Sequence, residues 1–133
     1  MTPRAQTLAF RSAVWIGILL NWSFATLAFL RPATLMEKLA LGPLNGTVWL
    51  FNYSVLLAIL SCFYIPAARD PVRYRTNAWL MIAARLVPAA TFFVGVFAGF
   101  MPRGFLKLGI GDAAIGLAIL ILLRRISFHE ERP

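Results

Sequence analysis

The chain has 133 residues, of which 60% are hydrophobic and only 14% charged, and its mean hydropathy is +0.76. That is too apolar for a water-soluble domain of this size and places the chain in the membrane class. The formal net charge of +8 does not imply a nucleic-acid partner, because the basic residues stand at the ends of apolar runs, where attraction to anionic lipid is sufficient to explain them.

Four runs approach the roughly 20 apolar residues that a bilayer crossing needs, at about 12–30, 48–65, 77–101 and 105–123. Backbone polar groups inside lipid must be satisfied within helices, so the expected fold is all-α: a four-transmembrane-helix bundle forming one integral membrane domain over 1–133. Only short connections remain between the runs, which leaves no room among these residues for a soluble catalytic domain. No Gly-x-Ser-x-Gly, phosphate-cradling glycine loop or His-Glu-x-x-His is present. An autonomous enzyme is not expected.

The first run follows Arg4 and Arg11, as a secretory signal would, but it is longer than a usual signal core and lacks a clear Ala-x-Ala site; it is read as a helix. Gly17, Asn21, Ala25 and Ala28 recur along it at helical spacing, and Trp15 and Trp22 are expected to pack. Pro32 then starts a short helix that ends before Gly42 and Pro43. It is expected to lie at the membrane interface, with Leu35, Met36, Leu39 and Leu41 dipping into lipid and Glu37 and Lys38 facing water.

In the second run Asn52, Tyr53 and Ser54 could extend a polar layer outward, while Tyr53 with Trp49 suits an interfacial aromatic belt, as does Trp79 near the opposite surface. Cys62, the single cysteine, is read as a small buried apolar residue. It excludes an intramolecular disulfide. His129, the single histidine, falls in a polar tail after the last run, and Met36, Met81 and Met101 are scattered, so neither a metal nor another cofactor is expected.

The third and fourth runs carry the chemistry. Arg85 and Asp112 each stand near mid-bilayer, where a charge costs roughly 2.5 to 3.5 kcal/mol. With ~1.5 Å rise per residue, Asn21, Arg85 and Asp112 all lie about 12 to 16 Å from the same membrane edge. They are expected to share one layer, with the guanidinium gripping the carboxylate through two parallel hydrogen bonds. Gly109, Asp112, Ala113 and Gly116 line one face of the last helix, and Gly95 and Gly99 form a Gly-x-x-x-Gly step expected to mark a close helix contact. Pro88 leaves the carbonyl of Ala84 without its usual donor, so a kink is expected, with that carbonyl free to accept from Arg85, a water or a ligand.

Arg4, Arg11, Arg69, Arg73, Arg75, Arg124, Arg125 and Arg132 fall on the side of the termini, against Arg31, Lys38, Arg103 and Lys107 on the other. The excess of eight over four predicts cytoplasmic termini.

The run Phe63-Tyr64-Ile65-Pro66-Ala67-Ala68-Arg69-Asp70-Pro71, the following Arg75-Thr76-Asn77-Ala78-Trp79-Leu80, Arg85 and Gly111-Asp112 resemble the DoxX-like group of small four-helix bacterial membrane proteins. The resemblance implies a bacterial inner-membrane protein, often found with redox partners and in some members a subunit feeding electrons to quinone. It does not imply that this chain binds quinone.

Two function classes follow. In the first, the chain is an accessory or scaffold subunit of a larger, redox-linked membrane complex, partnered by another membrane protein or a second copy. In the second it is a binding or transport module whose site, built from Arg85, Asp112, Asn21 and Asn52, takes a proton, a quinone head group or a small anion. An exchange of charges, Arg85→Asp with Asp112→Arg, should restore assembly if the pair only fixes helix register and leave activity lost if it handles a proton or ligand. Recovery of both assembly and activity in a membrane reconstitution would reduce the pair to a structural lock.

Overall fold

The computed structural model describes residues 2–43 and 46–130, and those residues are helical without a strand. In chain order the helices are α1 (Pro3–Leu30), α2 (Pro32–Leu39), α3 (Val48–Arg69), α4 (Arg75–Phe97) and α5 (Phe105–Glu130). All except α2 are long and apolar enough to cross a membrane.

α1 lies between α3 and α5, and α4 closes the ring by packing on α5 and more sparsely on α3. α1 and α4 therefore face each other across a diagonal. The broad α4–α5 seam exists because two glycines of α5 let the backbones approach. A Cβ on Gly109 would lie 3.3 Å from Phe92 Cβ, and one on Gly116 would lie 2.8 Å from Leu86 Cδ2 and 3.2 Å from Arg85 Cβ. Two apolar clusters fill the interior. One, toward the N-terminal end of α1, joins Phe10, Val14, Ile18, Tyr64, Met81, Ile82, Ile119 and Leu123, and the other, beside α2, joins Ala28, Leu35, Met36, Leu41 and Leu50.

Several helix limits differ from the hydropathic runs. α1 starts at Pro3 rather than near 12, because Thr2 Oγ1 accepts from Ala5 N at 3.4 Å and Gln6, Phe10 and Val14 extend the buried stripe at helical spacing. At the same end Arg11 donates to the carbonyl of Arg69, a C-terminal carbonyl of α3 that lacks an intrahelical donor. Asp70 Oδ1 accepts from Val72 N at 3.2 Å and Arg73 N at 3.0 Å, which shapes the turn into α4. Asn77 Nδ2 then ties α4 to the carbonyl of Phe63 at 2.9 Å. α5 continues to Glu130, so 127–130 are helical rather than a tail; Arg132 and the side chain of His129 lie outside the described residues.

Four other expectations are corrected. Gly95 and Gly99 do not form a helix-contact step, because α4 ends at Phe97 and Gly99 takes φ +83° in its C-terminal turn. The amides of Phe100 and Met101 return to the carbonyl of Gly95, each at 3.0 Å, so the pair of glycines terminates the helix instead. Cys62 is exposed rather than buried and bonds the carbonyl of Ala58. Pro88 lies within α4, and the guanidinium of Arg85 donates to Asp112, Gly17 and Asn21 rather than to the carbonyl of Ala84.

The apolar side of α2 also faces protein rather than lipid. Leu35 and Met36 pack with Leu41 on Ala28 and Leu50, while Glu37 and Lys38 remain exposed. α2 thus caps the end of the bundle opposite the N-terminus. The α4–α5 turn passes directly beneath it, since a Cβ on Gly104 would fall 2.1 Å from the carbonyl oxygen of Leu39 and 2.2 Å from that of Ala40. Gly104→Ala should therefore destabilise the protein by about 1 to 3 kcal/mol, because backbone, not a flexible side chain, has to move. Gly111→Ala, where the added Cβ meets nothing within 4 Å, should leave the unfolding temperature in detergent unchanged or slightly raised; equal losses for both variants would refute the close approach.

Candidate functional site: an intramembrane charge network

Between the two apolar clusters a polar network joins all four long helices. Arg85 of α4 donates through Nη1 to Asp112 Oδ1 of α5 at 2.5 Å, and through Nη2 to the carbonyl of Gly17 at 2.7 Å and to Asn21 Oδ1 at 2.9 Å, both on α1. Asn21 Nδ2 in turn donates to Ser61 Oγ of α3 at 2.9 Å, and that hydroxyl donates to the carbonyl of Leu57 at 2.8 Å. The guanidinium therefore reaches across the diagonal that separates α4 from α1.

Small side chains make this reach possible. A Cβ on Gly17 would stand 2.9 Å from Arg85 Nη2, so the glycine both exposes its carbonyl and clears the path. Its role is to admit the arginine rather than a neighbouring backbone. The asparagine oxygen faces the cation and its amide faces the serine, the orientation that satisfies both neighbours.

Arg85 and Asn21 are buried, but the Asp112 side chain retains 21% of its surface. The expected two-pronged grip on the carboxylate is absent: only one oxygen of Asp112 accepts a hydrogen bond from the described residues, and the second guanidinium nitrogen is spent on α1. The pair is electrically neutral, yet it leaves one carboxylate oxygen with unused accepting capacity.

Two clefts reach that carboxylate. The larger, about 330 Å³, runs between α1 and α5 from Asn21, Arg85 and Asp112 past Leu108 and Gly111 to Leu35, Leu39 and Lys107 at the α2 end. The smaller, about 180 Å³, opens through the sparse α3–α4 seam beside Leu56, Leu60, Tyr64, Ala84 and Pro88. Tyr53 and Leu57 border both. Tyr53 is set by an edge-on contact with Phe24, with ring centroids 5.8 Å apart.

The structure thus brings Asn21, Arg85 and Asp112 together with Gly17, and places Gly109 and Gly116 in the seam that supports them. Asn52 does not join them. It is exposed, because two residues turn it about 200° from the buried Ser54. Ser61 and Tyr64 were missed as site residues. Ser54 and Ser61, seven residues apart in a mostly apolar helix, would have marked the inward face of α3.

Comparison with protein-family models, curated proteins and solved structures finds no significant match. Fold and composition alone define the class: a small multi-pass membrane protein whose four long helices are able to cross a bilayer.

Replacing Asn21 by Ala should cost about 0.6 to 2 kcal/mol, the range of hydrogen bonds between membrane helices and to charged groups, since Arg85 keeps Gly17 and Asp112. Asp112→Ala should cost more, about 3 to 5 kcal/mol, because it strands a buried cation. Denaturant unfolding in mixed micelles that ranked Asn21→Ala as the more damaging change would show that α1, not α5, carries the arginine.

Proposed function

We propose that this protein is a binding module of a bacterial inner membrane, with both termini cytoplasmic, whose ligand is held at Asp112 through its unused oxygen. The observation that carries this reading is a carboxylate engaged on one side only, standing where two clefts meet inside the bilayer-spanning part of the fold. A pair serving only as a lock gains nothing from leaving carboxylate surface in a cleft. A site that accepts a proton or a donor group requires it.

The orientation rests on the excess of arginine at the end opposite α2. The bacterial setting rests on the resemblance to the DoxX-like group. A small anion is the least suited of the ligands considered, because Asp112 would repel it and both Arg85 contacts to α1 already engage the guanidinium.

A second reading, an accessory subunit of a larger membrane complex, draws on a different face. Leu80, Val87 and Val94 form an exposed strip on α4 at seven-residue spacing, beside a shallow groove of about 440 Å³ that Thr91 and Phe100 also border. Such a strip suits a partner helix or a second copy.

Gentle purification from native membranes, followed by mass spectrometry of everything retained, separates the two. The binding role predicts a small molecule present with wild-type protein and depleted at least tenfold in folded Asp112→Asn. A stoichiometric membrane-protein partner, with identical small-molecule content in both forms, would replace it with the accessory role.

A further inference from the structure

The larger cleft also restricts what can enter it, a deepening that rests on the binding role of Asp112. Gly17, Gly109 and Gly116 are each pressed against a neighbour that would meet an added Cβ at 3.3 Å or less. Gly111 differs. Its added Cβ meets nothing within 4 Å, yet it stands one residue from Asp112 and lines the cleft. Glycine weakens a helix relative to alanine, and here no packing contact demands it. The space it leaves is cleft volume.

The cleft opens to lipid rather than water. Leu20 and Leu27, which border it, are exposed on α1 inside its bilayer-spanning stretch. At the outer end Leu35 and Leu39 of α2 lie over it, and Lys107 Nζ donates to the carbonyl of Lys38 at 3.5 Å, holding α2 to α5. A volume of about 330 Å³ is at the low end of small-molecule pockets and suits one slender chain.

The polar end selects the head group. Asp112 offers one unengaged oxygen, and Tyr53, which borders the same cleft, has a hydroxyl that makes no hydrogen bond to the described residues. A hydroxyl can donate to the first and accept from the second. An anion would face the carboxylate, and a cation would face Arg85 while losing its hydration on the way through lipid. We propose that the α1–α5 cleft admits from the bilayer one uncharged, single-chain amphiphile with a hydroxyl head, and that Gly111 provides the room for its chain.

Photoactivatable diazirine analogues of 1-dodecanol, dodecanoate and dodecylammonium, applied to the full chain in phosphatidylcholine nanodiscs, test this. The alcohol should label peptides of α1 and α5 around Leu20, Leu27 and Gly111 saturably, in competition with unlabelled 1-dodecanol. The two charged probes should stay at background. Gly111→Leu should reduce labelling at least tenfold at an unchanged unfolding temperature; should that variant unfold early, Leu27→Trp fills the same cleft from α1. Undiminished labelling in a folded variant, or preference for a charged probe, overturns the proposal. If 1-dodecanol fails to label but a native small molecule is still retained through Asp112, only this ligand class falls. If neither is bound, the binding role falls with it.

Discussion

The guanidinium of Arg85 connects helices that otherwise stand on opposite sides of the bundle. It holds the carboxylate of Asp112 on α5 and two acceptors of α1, and Asn21 passes the connection to Ser61 on α3. In lipid the apolar faces of these helices gain little by meeting each other rather than acyl chains, so directional polar contacts and close packing decide their arrangement. A cation buried at this depth must be surrounded by acceptors, and three helices supply acceptors or the next bond in the chain. The apolar clusters at either end then pack around a centre that polar geometry has already set.

The same network explains the clefts. Arg85 crosses the bundle where Gly17 gives way, and α5 is drawn against α4 by Gly109 and Gly116. Those close approaches on one side leave α3 and α4 only sparsely joined on the other. Open space consequently collects around Asp112, the most exposed member of the network. A structural ion pair and a ligand site are not exclusive alternatives here. One carboxylate oxygen serves the bundle, the other accepts no hydrogen bond from the described residues, and the residue borders both clefts.

At one end of the bundle, α2 and the α4–α5 turn form a cap whose fit depends on Gly104 lying against the carbonyls of Leu39 and Ala40. Leu35 and Leu39 of this cap border the α1–α5 cleft, which the exposed Leu20 and Leu27 of α1 border as well. The opposite end is built differently, with exposed Arg4, Arg11, Arg69, Arg73 and Arg75 around the α3–α4 turn and Arg124 and Arg125 on α5. Long arginine side chains reach the headgroup region while their stems stay on apolar surface.

By itself the sequence determined the class, the four spans and the identity of the central pair, because bilayer thickness imposes run length and a buried charge demands a partner of opposite sign. Depth along each helix follows from a constant rise, so Asn21, Arg85 and Asp112 were legible as one layer. What lies around a helix axis and between helices was not. Asn52 turned outward, Ser61 turned inward, and Gly95 with Gly99 became a helix terminus rather than a contact. α2 folded onto protein although its apolar face suited lipid equally well. Those choices depend on which neighbours the ring of helices brings together, and hydropathy cannot rank them because lipid and a packed bundle present nearly the same apolar surroundings. Only the tertiary structure decided that Arg85 would divide its hydrogen bonds between α5 and α1, and so leave one oxygen of Asp112 without a donor among the described residues.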